Sequence, residues 1–508
     1  MTMIRTTGLI TGAMTLALTG IAGAADTDNA SIDALRAELN ELRAQNNSLA
    51  ARVDAQDSEW LNEERASDIR GIVQDVLADS QSRTSLQDSG MMAGYKAGKG
   101  FFLSNADGSF SLNVSGQLQT RWVFNNNPDP VVGFDNAGAP LGTNSEESNW
   151  GFQVRRAKVR FQGNVVDPSW TYAINGSFEG PQNDFGNPSN GGTFEFQEAY
   201  IAKELENGLT LTFGQFKTPW MREELVDSSQ QLAVERSVIN EIFNQDRAVG
   251  IMVNWNNDDF NVSGSYNNGQ RTAINQQSRY NDFSNNPTNW AFSARGEWKL
   301  SGDWSDFDSF TSSPGQEQAM MIGVAAMGQR YDSNSSPGNF GTVINSVIGD
   351  VNLNGTTVWG VTADFSAKFN GFSFFASGVW QNYDPGTDAS SYDPWGLVVQ
   401  GGYSLNDQWE LFARYEEGTA STDNNLFGNA GAGAGTAASA YVTEGGNVSI
   451  LTIGANYFIN DNVKFTVDWG INFADTLDLF SSPASDTGWE SSAGSSQWVL
   501  RAQLQLLF

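Results

Sequence analysis

The sequence predicts an all-β architecture, a 16-stranded antiparallel transmembrane β-barrel preceded by an N-terminal α-helical coiled coil. Three observations predict it. From Ser109 onward, apolar and polar residues alternate with period two in about sixteen segments. The connections between those segments alternate between short and long. Ahead of them, the apolar period is that of a helix, three and four residues by turns.

The final strand shows the alternation over most of its length. Phe508, Leu506, Leu504, Ala502, Leu500 and Trp498 fall on one face, and Leu507, Gln505, Gln503, Arg501 and Val499 on the other. Successive side chains of a strand point to opposite sides, so one face meets hydrocarbon and the other water. A terminal aromatic on such a strand resembles the assembly signal of bacterial outer-membrane barrels. That gives Phe508 this role and implies the barrel-assembly machinery and outer-membrane lipid as partners. Ser109 to Phe124 alternates as clearly, with Phe110, Leu112, Val114, Leu118, Trp122 and Phe124 opposite Ser111, Asn113, Ser115, Gln117, Gln119 and Arg121. Further strands are read at 150–164, 169–180, 193–204, 208–216, 247–256, 259–268 and 289–300. The rest lie at 318–331, 356–369, 372–383, 395–405, 408–417, 449–458, 463–474 and 495–508.

Short connections, such as Asn257-Asp258, Asn370-Gly371 and Asn406-Asp407, alternate with long ones at 125–149, 181–192, 217–246, 269–288, 332–355, 384–394, 418–448 and 475–494. Outer-membrane barrels pair short periplasmic turns with longer external loops, and an even strand count leaves both chain ends in the periplasm. Segment 301–317 breaks the rule, being too long for a tight turn. A soluble β-sandwich would explain the alternation but not the loop asymmetry or the apolar outer faces.

The N-terminal region divides in three before the barrel at 101–508. Residues 1–24 read as a signal peptide, with Arg5 as the positive region, an apolar stretch from Gly8 to Ile21, and Ala22-Gly23-Ala24 as the cleavage site. Residues 25–60 read as the coiled coil. Ile32, Leu35, Leu39, Leu42, Asn46, Leu49, Val53, Gln56 and Trp60 follow the heptad, with Asn46 at an a position where it would set register and oligomer state. Residues 61–100 read as an amphipathic helix, with Ile69, Ile72, Val73, Val76 and Leu77 on one stripe, and then a polar linker from Ser80.

Composition narrows the function. Beyond residue 24 no stretch approaches the roughly 20 apolar residues of a membrane helix. The chain has 58 acidic and 28 basic residues, a formal charge of −30, which argues against nucleic acid as a partner. It has no cysteine and no histidine, which removes thiolate chemistry, Ser-His and Cys-His pairs and His-bound metal. The chain is read as not an enzyme, with no cofactor and no metal site; a hydrolase using carboxylates or a Ser-Lys pair is the remaining enzymatic option.

Against this acidic background one basic stripe stands out. Arg156, Lys158 and Arg160 recur at period two opposite Ala157, Val159 and Phe161, and Arg121 points the same way from the preceding strand. An arginine facing lipid at the midplane would cost about 2–4 kcal/mol, so the stripe must face the lumen. It is either a ladder that lowers the barrier for anions or a set of wall cations paired with acidic loop residues.

The segment Gly214-Gln215-Phe216-Lys217-Thr218-Pro219-Trp220-Met221-Arg222-Glu223-Glu224-Leu225, followed by Val234-Glu235-Arg236-Ser237 and Asp246-Arg247-Ala248-Val249-Gly250, resembles the central signature of the phosphate-selective porin O and P family. Shorter matches occur at Gly100-Phe101-Phe102, Asp107-Gly108, Gly116-Gln117-Leu118-Gln119, Arg155-Arg156-Ala157-Lys158 and Gly454-Ala455-Asn456-Tyr457-Phe458. The resemblance implies a sixteen-stranded porin that assembles as a homotrimer, with its third loop folded inward and basic lumen residues for anions. It places Lys217, Arg222, Glu223, Glu224, Glu235, Arg236 and Arg247 in the constriction loop or its anchors, and Arg121, Arg156, Lys158 and Arg160 in the wall. The three glutamates set opposite a basic wall would make a transverse field, or would bridge to Arg236 and Arg247 and hold the loop.

The expected function is passive diffusion of small hydrophilic solutes or ions across the outer membrane of a Gram-negative-type bacterium, with phosphate-like anions implied by the family name. The alternative is an anchor whose periplasmic coiled coil tethers the membrane to the cell wall, with peptidoglycan as partner.

Overall fold

The computed structural model describes residues 37–51, 90–96, 100–127, 148–178, 194–269, 288–331, 355–384, 391, 393–419, 447–474, 487–489 and 496–508. The signal segment, the amphipathic stripe at 69–77 and most of the long connections lie outside these residues. The chain forms two compact units, Met1–Asp88 and Ser89–Phe508. In the first, residues 37–51 are an α-helix whose Leu39, Leu42 and Leu49 are all exposed.

The second unit opens with a hairpin of β1 (Met91–Lys96) and β2 (Gly100–Asn105). Sixteen antiparallel strands then close a barrel. They begin with β3 (Ser111–Asn126), β4 (Ser148–Asn164), β5 (Trp170–Ser177), β6 (Glu195–Glu204), β7 (Leu209–Lys217) and β8 (Arg247–Asn256). There follow β9 (Phe260–Asn267), β10 (Thr288–Ser301), β11 (Ala319–Tyr331), β12 (Thr357–Phe369) and β13 (Phe372–Asp384). The last are β14 (Trp395–Ser404), β15 (Trp409–Thr419), β16 (Asn447–Asn460), β17 (Val463–Asn472) and β18 (Trp498–Leu507). Each pairs with the next, and β18 returns to β3 in register from Trp498↔Asn126 to Leu507↔Gln117. Closure gives every barrel strand a neighbour on both sides, as a membrane-embedded sheet requires.

β15 shows why these residues make strands of this kind. Trp409, Leu411 and Tyr415 are exposed on the outer face, while Glu410, Arg414 and Glu416 are buried on the inner one. Shifting such a strand by one residue would turn its charges into lipid, so the register is strongly specified. The seam is completed by the last residue. Phe508 N–H donates to Gly116 O at 3.0 Å, and Phe508 O accepts from Gly116 N–H at 2.7 Å. Its ring lies over Gly116, where an added Cβ would stand 2.3 Å from Phe508 Cζ.

Two features depart from the sequence expectation, and a third gives form to the segment expected to be too long for a tight turn. The stretch from Ser80 to Gly100 reads as a linker, yet β1 within it pairs with β2. β2 also pairs with the first residues of β3, Phe101↔Val114 to Ser104↔Ser111. The pairing is supplied by the long β3, which extends past β18. β4 carries a bulge, because Gln119 faces Arg156 while Thr120 faces Val154. The extra residue, Arg155, therefore turns to the buried side beside Arg156. Finally, the connection 302–318 is an ordered turn. A capping box between Asp303 and Asp306 starts a 3₁₀ turn at Trp304–Phe307, and Phe307 and Phe310 are both buried.

Candidate functional site

Residues 218–246 join β7 to β8 and are the most buried connection among the described residues. Their ends are clamped where Thr218 N–H donates to Asp246 O. The path is a helical turn at Arg222–Leu225, a 3₁₀ turn at Ser228–Gln230 capped by Asp227, and a short helix at Val238–Phe243 capped by Ser237. Trp220, Met221, Val238, Ile239, Ile242 and Phe243 pack with strand residues including Met327, Val358, Val379, Val398 and Ile450.

The polar backbone of the segment is satisfied by inner-face side chains of the strands, as buried backbone groups must be. Arg295 of β10 donates to Trp220 O, and Gln381 of β13 to Phe243 O. Arg414 of β15 donates to Glu235 O at 2.8 Å, while Glu416 accepts from Val238 N–H. Asn456 of β16 donates to Leu232 O, and Lys464 of β17 to Ser229 O and Gln231 O. Asp468 accepts from Val234 N–H at 2.9 Å and is held by Arg501.

Glu235 is the centre of the charge pattern. Arg121 Nη1 lies 2.6 Å from its carboxylate, Arg155 Nε 2.8 Å and Arg156 Nη2 2.8 Å. Gln153 accepts from Arg121 and Gln119 accepts from Arg156, which fixes both guanidiniums. Burial alone would raise the carboxyl's pKa, but Arg155, Arg156 and Arg121 outweigh it and hold the group well below the usual carboxylate range.

The expected basic stripe thus divides. Arg121 and Arg156 bind Glu235, whereas Lys158 Nζ points toward Ser228 Oγ at 3.5 Å and Arg160 pairs with Glu198 at 2.7 Å. The three loop glutamates do not stand off from a basic wall as one field. Glu235 touches the wall, and Glu223 instead accepts from Ser237 N–H and Oγ and lies 3.7 Å from Arg414. Glu224 pairs with Arg236 at 3.3 Å and lies 4.0 Å from Arg247, as one reading of the sequence expects. Lys217 donates to Glu224 O, and Arg222 donates to Phe307 O and pairs with Glu297 at 3.4 Å.

Sequence reasoning missed Arg155, because a strict period of two puts it on the lipid face. It also missed Arg295 with Glu297 and Asp364, and Arg414 with Glu416. The signal for these was present, since Arg-x-Glu within a strand places opposite charges two residues apart on one face.

Among the described residues a cavity of about 810 Å³ lies beside the segment, against β3 to β8. Lys158, Arg160, Lys217 and Arg222 line it together with Glu198, Asp227 and Asp308. Burial opposes the Asp227 charge, but Lys217, Lys158 and the Ser229 N–H bond hold its carboxyl far below the ordinary value. Among the described residues no acidic cluster is grouped to hold a metal ion.

A sequence model of the phosphate-selective porin O and P family matches residues 132–472. The chain belongs to this family. Its barrel is therefore an outer-membrane channel. No curated protein sequence matches the chain. Solved structures similar in fold include an anion-selective porin from Comamonas acidovorans, at 13% identity, TM-score 0.48, 78% of this chain and 100% of that one. Others are the outer-membrane channel DcaP of Acinetobacter baumannii, at 14%, 0.48, 80% and 99%, and the trimer form of OmpT from Vibrio cholerae, at 11%, 0.48, 79% and 100%.

Proposed function

We propose that this channel passes small hydrophilic solutes and ions by passive diffusion, through the space between segment 218–246 and the wall from β3 to β8. The segment narrows the barrel as an inward-folded third loop. The observation that carries this is the packing and bonding of the segment onto strands from β10 to β17, which, with the three-arginine clamp from β3 and β4, leaves the 810 Å³ cavity against β3 to β8. Arg121 and Arg156 then serve as wall cations that fix the loop. The charges a solute meets are Lys158, Arg160, Lys217 and Arg222 with Glu198, Asp227 and Asp308. Cations and carboxylates are nearly balanced, so discrimination by sign is weak and anions such as phosphate pass without a dedicated ladder.

The test is the reversal potential of the mature protein in a planar bilayer under a salt gradient, with and without phosphate. Weak selectivity, moved toward cations by Lys158→Gln, is the expected result. Strong anion selectivity with phosphate block that survives Lys158→Gln and Arg160→Gln would refute the balanced passage.

The exposed Leu39, Leu42 and Leu49 of helix 37–51 favour a parallel coiled coil in the periplasm, with Asn46 setting the register of a homotrimer. A tether to peptidoglycan is the alternative main role. Deleting 26–90 separates them: lost envelope integrity with intact conductance favours the tether.

A further inference from the structure

The turn 302–318 is too elaborate to be a mere connection. It lies against segment 218–246 rather than away from it. Phe310 N–H donates to Gln230 O at 3.0 Å, and Arg222 of that segment donates to Phe307 O. The Phe310 ring is buried with Val226, Leu232 and Ala233 of the same segment, 4.8 Å from the Phe375 ring. Bonds to the strands hold it from the other side. Ser404 Oγ donates to Ser312 O, Thr311 Oγ1 to Glu410, and Lys368 Nζ to Ser309 Oγ at 3.1 Å.

Between the two buried phenylalanines stands one exposed carboxylate, Asp308. Its backbone N–H donates to Ser305 O at 3.2 Å, so the turn sets where the main chain presents it. It lines the same cavity as Lys158, Arg160 and Lys217. A solute crossing that space meets Lys158 and the Arg160–Glu198 pair on the wall, Lys217, Arg222 and Asp227 about the segment, and Asp308 from the turn.

We propose that the turn 302–318 is a second selectivity element of the channel and that Asp308 is its specificity-determining residue, acting against multivalent anions. The proposal rests on the channel reading above. A carboxylate beside cationic groups accepts a neutral or zwitterionic solute and a monovalent ion, while it repels a phosphate dianion about twice as strongly as chloride at equal distance. It acts at short range, since screening at physiological salt removes charge effects beyond about 8 Å. The docking of the turn on the loop is what keeps Asp308 within that range of the passage.

The experiment compares wild type, Asp308→Asn, Asp308→Lys and Lys158→Gln in planar bilayers, after each is shown to fold by its heat-dependent gel mobility. Phosphate-to-chloride permeability is expected to rise several-fold in Asp308→Asn and further in Asp308→Lys. The chain has no native cysteine, so Asp308→Cys gives a single probe in the folded channel. Labelling it with a sulfonatoethyl thiosulfonate is expected to restore wild-type selectivity, and a trimethylammonium reagent to push it past Asp308→Asn. If Lys158→Gln shifts the reversal potential while no Asp308 variant does, the proposal is overturned. Current through Asp308→Cys that neither reagent changes overturns it too, because the thiol then lies off the passage. If folded wild-type protein conducts nothing, it is the channel reading that fails.

Discussion

Arg155 Nε stands 2.8 Å from Glu235 Oε1, and a bulge in β4 is what turns it there. Without the bulge Arg155 would face lipid, and Glu235 would meet two guanidiniums rather than three. Removing the carboxylate leaves three buried cations in one place. Breaking a buried ion pair by deleting one partner typically costs about 3–5 kcal/mol. Glu235→Gln is therefore expected to destabilise the barrel by about that much in urea titrations and to expose segment 218–246 to protease. Adding Arg156→Gln relieves one of the stranded charges and should recover part of the loss. A single variant within about 0.5 kcal/mol of wild type, the range of an ordinary surface change, would show that the clamp holds nothing.

The seam between Phe508 and Gly116 makes a second prediction. The ring needs the space that a Cβ at residue 116 would fill. Gly116→Ala is expected to push the ring aside and slow barrel closure, and Gly116→Leu to do so more severely. Deleting Phe508 removes both the ring and the two backbone bonds to Gly116. The amount of heat-modifiable barrel in outer-membrane fractions reads this directly. Equal yields for wild type and Gly116→Leu would sink it.

These relationships differ in how far the sequence makes them legible. All sixteen barrel strands lie within three residues of the segments read from alternation, from 111–126 against 109–124 to 498–507 against 495–508. The reason is energetic, because a slip in β15 would put Glu410, Arg414 and Glu416 into lipid. Loop length is as legible, since periplasmic turns and outer loops differ in kind. Arg155 is not, because a bulge adds one residue and reverses the parity on which the alternation rests. The hairpin of β1 and β2 is hidden by Gly94, Gly98 and Gly100, which suit a linker until β3 supplies a partner. The role of 302–318 depends on Gln230, some 80 residues away in sequence, and no local pattern announces such a contact. Glu223 and Glu224 do not face the wall of Arg121 and Arg156 for a different reason: Ser237 and Arg236 in their own segment are nearer, and for Glu224 the bridge to Arg236 and Arg247 is the other reading the sequence offers.

Asn46 yields a prediction for the N-terminal helix. An asparagine at an a position costs coiled-coil stability and selects one register and oligomer number. Under the trimer reading, Asn46→Leu is expected to raise the melting temperature of the N-terminal region while broadening the set of cross-linked species. Light scattering of the full chain, with its barrel intact, reports the oligomer number. One unchanged species with an unchanged helix melting temperature would mean that Asn46 does not sit in a helix interface.

Glu241 makes the pH behaviour of the channel testable, and its sign is opposite to that of Glu235. It is half-buried in the short helix Val238–Phe243, where Asn240 Nδ2 is 3.5 Å from Oε1. Burial raises its pKa first and the Glu224 charge raises it further; Arg236 and Arg155 pull down, Glu235 pushes up, and the group settles at about 7. Its ordinary value is 4.5, so the folded chain binds the proton more tightly than the unfolded one. The stability it contributes is fully present below that ordinary value and is lost as pH rises through about 7. Glu235, held below its ordinary value, contributes stability above 4.5 that is lost on acidification. Wild-type protein is therefore expected to lose stability of the loop between about pH 5 and 8, seen as faster proteolysis within 218–246 and noisier single-channel current. Glu241→Gln keeps the neutral side chain at every pH and should flatten that change while leaving the acid limb set by Glu235. A wild-type profile that is already flat from about pH 5 to 8, or one that Glu241→Gln leaves unaltered, would remove Glu241 from the account.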